Sequence, residues 1–339
     1  MRSEDYPVDA VIAWVDGADP AWRKERDVYL QAAHPGRQTD SSESRYRDWG
    51  TIKYVLRGIE QYMPWIRRVF FVTWGHLPEW LNPEAEKLRI VTHQEYIPQE
   101  YLPTFSANPI ELNLHRIPDL AEHFIFFNDD MLPARMTGKK DFFRKGLPAD
   151  FAVETTLVGR HYGSIAGILL SDSEIINQNF RKREVIRKNP GKWLNYRYGA
   201  DLFKTLLHLP WREFSDFSNN HTINPYLKSV YEEVWNREYA VLDETSRRRF
   251  RTSRDVNQWL IRDWQLVSGK FFPKSTHTAK VINLTNDLQN IRTAFRQKKY
   301  QVVCVNDVNY VKIDDFEETR RKLQQILEEA YPVKSGFEK

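Results

Sequence analysis

The stretch His123–Asp130, HFIFFNDD, decides how this chain is read. Four apolar residues, Phe124 to Phe127, run directly into Asn128, Asp129 and Asp130. An apolar run of that length reads as a buried strand. The carboxylates then sit where the chain leaves a sheet, and in open α/β sheets ligands bind at the carboxyl ends of the strands. Paired carboxylates at that position suit a hard divalent cation shared with a substrate phosphate. Asn-Asp-Asp is equally good turn chemistry. From this stretch alone, a metal edge and a plain strand stop are equally supported.

The same transition recurs near the end of the chain, where Gln301 to Val305 (QVVCV) closes in Asn306-Asp307. If both strands lie in one sheet and point the same way, three carboxylates and two amides converge, a set suited to Mg²⁺ or Mn²⁺. Outward from there, Val8 to Val15 (VDAVIAWV) reads as a first buried strand, and Asp16-Gly17 as a turn. Asp19-Pro20 then reads as an N-cap with proline at the first position of a helix running to about Ala33. Neither GxGxxG nor GxxxxGK[ST] occurs at this entry, so a dinucleotide fingerprint and a P-loop are unsupported. Residues 34–44 read as an irregular loop. Asp48 is expected to cap a helix whose Ile52, Val55, Leu56, Ile59 and Tyr62 share one face.

Further strands are expected at Arg67–Trp74, Leu88–Thr92 and Phe151–Leu157, with a short helix over Pro109–Leu120. Strands alternating with helices predict an α/β fold, a mostly parallel sheet flanked by helices. From Asp172 the pattern turns helical, over 174–188, 199–207, 226–239 and 255–270, broken by the polar stretch Ser215–Pro225 (SDFSNNHTINP). The expected organisation is a core begun by residues 1–170, a mainly helical insertion for substrate or acceptor at 171–275, and a return to the core at 276–339.

The 339 residues are 28% charged and 41% hydrophobic, which suits a globular chain with a sizeable core. No apolar stretch approaches the roughly 20 residues that span a bilayer, and MRSEDYPVD carries no apolar signal segment. With a single cysteine, Cys304, an intrachain disulfide is excluded, and a cytoplasmic protein is expected. The net charge, 50 − 46 = +4, is too mild to imply nucleic acid. The basic runs 181–188 and 247–254 read as solvated helix faces. They also suit attraction to an anionic substrate, or peripheral contact with the inner membrane. Oligomeric state is left open.

Among single residues, His221 in the polar stretch is a candidate general base, since imidazole titrates near neutrality without much tuning. His115 beside Arg116 could hold a phosphate, arginine being a bidentate donor to phosphate oxygens. Arg45, Arg47, Arg251 and Arg254 are further candidates for that task. Trp14 and Asp16 could face a nucleotide base and ribose. A hydrogen-bonded surface histidine, solvated arginines, a core tryptophan and a turn aspartate are the plain counterparts. No Cys/His cluster has structural zinc spacing.

Taken together, these residues resemble the Stealth family of bacterial capsular and exopolysaccharide phosphotransferases, which are related to the animal N-acetylglucosamine-1-phosphotransferase. Four blocks carry the resemblance: VDAVIAWVDGAD at Val8–Asp19; the long block from Arg45 through THQEYIP and LPTFSANPIELNLHRI to IFFNDDMLP at Pro133; Asn220–Asp255; and Cys304-Val305-Asn306-Asp307. It implies a Rossmann-like, GT-A-like core and transfer of a sugar 1-phosphate from a UDP-sugar, UDP-N-acetylglucosamine among them, to a hydroxyl of a polysaccharide acceptor, with UMP leaving. It places Asp129, Asp130, Asn306 and Asp307 at metal and diphosphate, Trp14, Val15 and Asp16 in the nucleotide pocket, and Arg45 and His115 among the donor contacts. It makes His221 the base, Asp255 its orienting group or the alternative base, and Arg116 and Arg251 phosphate ligands. A metal-dependent glycosyltransferase releasing UDP is the competing function on such a fold. A non-catalytic sugar- or membrane-binding module is the alternative of another class.

Overall fold

A computed structural model describes residues 5–33, 48–159, 164–308 and 313–339. The expected loop 34–44, Arg45 and Arg47 lie outside the described residues. Eleven strands are formed among those described: β1 (Val8–Ala13), β2 (Val69–Thr73), β3 (Leu88–Thr92), β4 (His123–Phe127), β5 (Met131–Pro133), β6 (Phe143–Arg144), β7 (Leu147–Asp150), β8 (Asn224–Leu227), β9 (Phe272–Pro273), β10 (Ala279–Asn283) and β11 (Val302–Asn306). The central sheet has the order β3-β2-β1-β4-β8. Its first four strands are parallel and β8 is antiparallel to β4. This is the mostly parallel α/β sheet expected from the apolar runs, and the Rossmann-like core that the family resemblance implies.

Alternation along the strands explains why both faces of that sheet are buried. Val8, Ala10 and Ile12 of β1 and Ile125 and Phe127 of β4 point into one core, shared with the helix Ile52–Tyr62 and the helix Phe316–Ala330. Val11, Phe124 and Phe126 point into the other, packed against the helices Ala166–Asn179, Lys228–Arg237 and Gln258–Val267. Gly58 lies mid-helix where a Cβ would stand 2.9 Å from Cδ of Pro133. Glycine there lets the helix press onto β5, at a cost of about 0.5–1 kcal/mol in helix propensity.

Several boundaries differ from the sequence reading. Asp48 does not cap the helix, which starts at Ile52 after Thr51; its Oδ1 accepts from Gly50 N at 2.7 Å. Asp19 does cap its helix, accepting from Trp22 N at 2.8 Å. The expected helix over 109–120 is shorter and earlier, Ala107–Leu112, followed by a single tight turn at Leu114–Arg116. Over 151–157 there is no strand, only an isolated bridge from Glu154 to Phe217. The end of the polar stretch contributes β8, in which Pro225 is tolerated because an edge strand does not need its N–H for a neighbour.

The two Asn-Asp ends do not share a sheet. β4 belongs to the central sheet, while β11 lies in a second sheet of order β10-β11-β5. They meet because β4 turns directly through Asn128–Asp130 into β5, and β5 pairs antiparallel with β11. Val305 N donates to the carbonyl of Asp130 at 3.0 Å, fastening the turn to β11. No helix of the described residues is long and apolar enough to cross a membrane.

Candidate active site

In the order β3-β2-β1-β4, the strand sequence changes direction between β1 and β4, and the crevice outside the carboxyl ends of those two strands is where doubly wound sheets bind ligands. β1 delivers Trp14, Val15 and Asp16 to that crevice, and β4 delivers Asn128, Asp129 and Asp130. The register Ile12 to Phe127 makes the two exits neighbours.

Three carboxylates crowd this edge. Burial, then the charges of Asp130 and Asp48, hold the Asp129 carboxyl far above its ordinary value of 3.8. Burial also raises Asp48, with the charge of Asp16 adding to it against Gly50 N–H and Arg320. Asp130 Oδ1 is buried and has no hydrogen-bond partner. Its Oδ2 lies 3.3 Å from His221 Nε2 and accepts from Cys304 Sγ at 3.2 Å. Burial works against the imidazolium of His221, but Asp130, Glu111 and Asp129 outweigh it and raise its pKa above 6.5. Asp307 Oδ2 accepts from Trp49 Nε1 at 2.9 Å, which aims that carboxylate from the end of β11.

Repelling carboxylates and an unpartnered carboxylate oxygen form an edge that a divalent cation fits. The carboxylates whose charges meet there are Asp129, Asp130 and Asp48, while Asp307 stands at the end of β11 with Trp49. Among the described residues, one cluster brings three ligand atoms within 4.8 Å of one another: Asp130, His221 and Cys304.

At the exit of β1, Asp16 N donates to His76 Nε2 at 2.7 Å. Trp14 packs against Phe71 and edge-on to His76, with its Nε1 buried and unbonded. Burial lowers the His76 pKa, so the neutral ring that accepts from Asp16 is the favoured form.

Asp255 is buried at the head of a fixed network. Arg248 Nη1, Thr252 N and Thr252 Oγ1 donate to it, and Asn108 Nδ2 donates to Oδ2 at 3.0 Å. Asn108 Oδ1 in turn accepts from Arg251 Nη2 at 3.3 Å. Arg251 and His221 both lower the pKa of buried Glu111, which burial has pushed up to about 7. Arg251, Glu111 and His221 thus share one electrostatic neighbourhood.

His115 and Arg116 are held against the helix Lys228–Arg237. His115 stacks on Tyr231, and burial pushes its pKa down to about 3. The Arg116 guanidinium lies 4.8 Å over the Trp235 ring, and its Nε donates to Asn113 Oδ1. Neither reaches the carboxylate edge through any of these contacts. Asn306 Nδ2 donates to Asn283 Oδ1 across β10 and β11 at 3.1 Å. Sequence reasoning missed Asp48, Trp49, His76, Glu111 and Cys304 as members of the site. For Trp49 and His76, the one available signal was their place inside the long second block.

The crevice at the β1–β4 switch point is the ligand-binding edge of a doubly wound α/β sheet, edged by acids with His221 beside Asp130 and His76 beside Asp16. The chain matches Stealth protein conserved region 1 over residues 6–32 and conserved region 2 over residues 45–150. It is 37% identical over 332 residues to the capsular polysaccharide phosphotransferase WcwK of Streptococcus pneumoniae, covering 98% of each chain. It is 38% identical to the receptor polysaccharide phosphotransferase WefC of Streptococcus gordonii, again covering 98% of each. The exopolysaccharide phosphotransferase cps2G of Lactiplantibacillus plantarum is 35% identical over 100% of this chain and 98% of its own. The chain belongs to the Stealth family. Among solved structures, the galactosyltransferase LgtC in complex with donor and acceptor sugar analogs covers 95% of both chains at 10% identity and a TM-score of 0.41.

Proposed function

We propose that this protein transfers a sugar 1-phosphate from a UDP-sugar to a hydroxyl of a growing cell-surface polysaccharide. One juxtaposition supports the reading: an imidazole paired with Asp130 stands at the end of β4 beside Asp129, in a chain that aligns over 98% of its length with a named polysaccharide phosphotransferase. A divalent cation, Mg²⁺ or Mn²⁺, would be held by Asp129, Asp130 and Asp307, with Asn306 beside them. It would supply charge neutralisation at the diphosphate.

The chain's own residues do the rest. Trp14, Val15 and Asp16 line the uridine side, with Asp16 held in place by His76. Asp130 Oδ2 accepts from Nε2–H of His221, which leaves Nδ1 to take the proton of the acceptor hydroxyl. The freed oxygen forms a bond to the phosphorus next to the sugar. The bond from that phosphorus to the oxygen bridging the two phosphates breaks, and UMP leaves with the electron pair. Arg251, positioned through Asn108 by Asp255, supplies positive charge near the transferring group. Asp255 is a positioning residue in this scheme, since its oxygens are taken up by Arg248, Thr252 and Asn108. A groove lined by Lys204, Lys280, Lys299 and Tyr300 reaches Asn220, the neighbour of His221, and gives the acceptor an approach suited to an anionic or sugar chain. The leaving group tests the reading. UMP marks phosphoryl transfer, and UDP marks the glycosyl transfer that is its alternative.

A further inference from the structure

Cys304 is the only cysteine, and it takes no part in the transfer chemistry above. Its place is nonetheless specific. β11 pairs with β5 so that Cys304 faces Met131, the residue after Asp130. The thiol lies 3.2 Å from Asp130 Oδ2, and His221 Nε2 lies 3.3 Å from that same oxygen. The three ligand atoms are all within 4.8 Å of one another. Asp130 brings a second oxygen, Oδ1, that is buried without a partner.

A sulfur, an imidazole nitrogen and a carboxylate oxygen are a poor set for Mg²⁺, which takes oxygen ligands in near-ideal octahedra. They are a good set for a borderline-soft cation. Three protein ligands with a fourth position open is the usual arrangement of a reactive zinc centre. Ligand atoms around tetrahedral zinc lie roughly 3.3–3.6 Å apart, given its bond lengths of about 2.0–2.3 Å. From separations within 4.8 Å, the cluster needs a contraction of at most about 1.2–1.5 Å to reach that geometry.

The geometry points to Asp130, His221 and Cys304 as an inhibitory site for Zn²⁺ or a similar thiophilic divalent cation. Binding replaces the thiol proton and the Nε2 proton of His221. A neutral imidazole that gives Nε2 to a metal carries its remaining proton on Nδ1 and has no lone pair left to accept another. The site therefore switches off the proposed base and takes Asp130 from the oxygen-ligated cation. Only this inhibitory consequence rests on the proposed function; the binding site does not.

The test uses the full chain, freed of metal and titrated with Zn²⁺ and, as a spectroscopic substitute, Co²⁺. One equivalent is expected to bind. The cobalt form is expected to show a near-ultraviolet thiolate-to-cobalt charge-transfer band that is lost in Cys304→Ser. His221→Gln, a change at a partly exposed side chain, is expected to weaken Zn²⁺ binding at least about tenfold, the loss of roughly 1.4 kcal/mol of ligand energy. In turnover assays, Zn²⁺ is expected to inhibit against a large excess of Mg²⁺, with full recovery on chelation. A Co²⁺ complex with no charge-transfer band overturns the proposal. So does Zn²⁺ binding that neither variant weakens. If the band appears and no donor is turned over, the metal site stands and the proposed function falls.

Discussion

His221 Nε2 and Asp130 Oδ2 lie 3.3 Å apart although 91 residues (221 − 130) separate them in the chain. The pair brings the end of a central parallel strand to a loop of the second half. Its electrostatics are legible: three acids, Asp130, Glu111 and Asp129, favour the imidazolium against burial. In metal-free protein, the His221 ring followed by NMR should titrate above 6.5. Asp130→Asn should move that titration downward, because it removes the nearest stabilising charge. A titration unmoved by Asp130→Asn contradicts the pairing.

Removing the imidazole should cost turnover rather than folding. His221→Gln is expected to lower kcat by roughly 10²–10⁴-fold, the usual loss on removing a general base, with the KM for donor little changed. Near-normal kcat in this variant would end the assignment.

Trp49 Nε1 donates to Asp307 Oδ2, so Trp49→Phe tests Asp307 without touching it. If Asp307 helps hold the divalent cation, losing this partner should weaken metal-dependent activity about 10–100-fold, the typical cost of removing a hydrogen bond that orients a ligand. Raising the cation concentration should recover much of the loss. A variant whose cation dependence matches that of the parent shows that Asp307 serves another purpose.

Away from the site, the C-terminal segment is fastened by a buried ion pair. Arg57 Nε and Nη2 donate to both oxygens of Glu338 at 2.7 and 2.9 Å. Burial opposes ionisation of Glu338, but the hydrogen bonds from Arg57 and Ser335 and the Arg57 charge together outweigh it, and its pKa falls from 4.5 to about 2. The folded pKa is the lower one, so its contribution is present above 4.5 and is lost as pH falls towards about 2. Glu338→Gln should flatten the stability profile in that window, measured by denaturant melts. Glu338→Ala should cost about 1–3 kcal/mol at neutral pH, because it strips the partners of Arg57 Nε and Nη2 while Nη1 keeps Glu328 and the Tyr331 carbonyl.

The sequence reading recovered what long apolar runs announce. β1, β2, β4 and β11 are runs of mostly buried Val, Ile and Phe, and β3 carries Leu88, Ile90 and Val91, of which Val91 alone is fully buried. It missed β5, β6 and β9, two or three residues long, because pairing rather than composition defines them. It also missed β10, where Lys280 and Asn283 interrupt the apolar pattern, and β8, hidden by Asn224 and Pro225. Asp129, Asp130 and His221 were legible as chemistry, and the first two and His221 do meet at one edge. The roles of Trp49 and Cys304 were not, since each becomes visible only through a contact spanning 258 or 174 residues. The resemblance to four blocks carried information of a different kind. It tied segments together that no local pattern could connect.

Phosphoryl transfer and glycosyl transfer differ in which bond of the donor breaks. The direct measurement incubates the protein with a panel of UDP-sugars, Mg²⁺ and an acceptor oligosaccharide, separates the released nucleotide, and records phosphorus NMR of the product. Stoichiometric UMP together with a new phosphodiester resonance is the predicted result. Release of UDP, with a product that carries no phosphorus, would contradict the account and assign the site to glycosyl transfer.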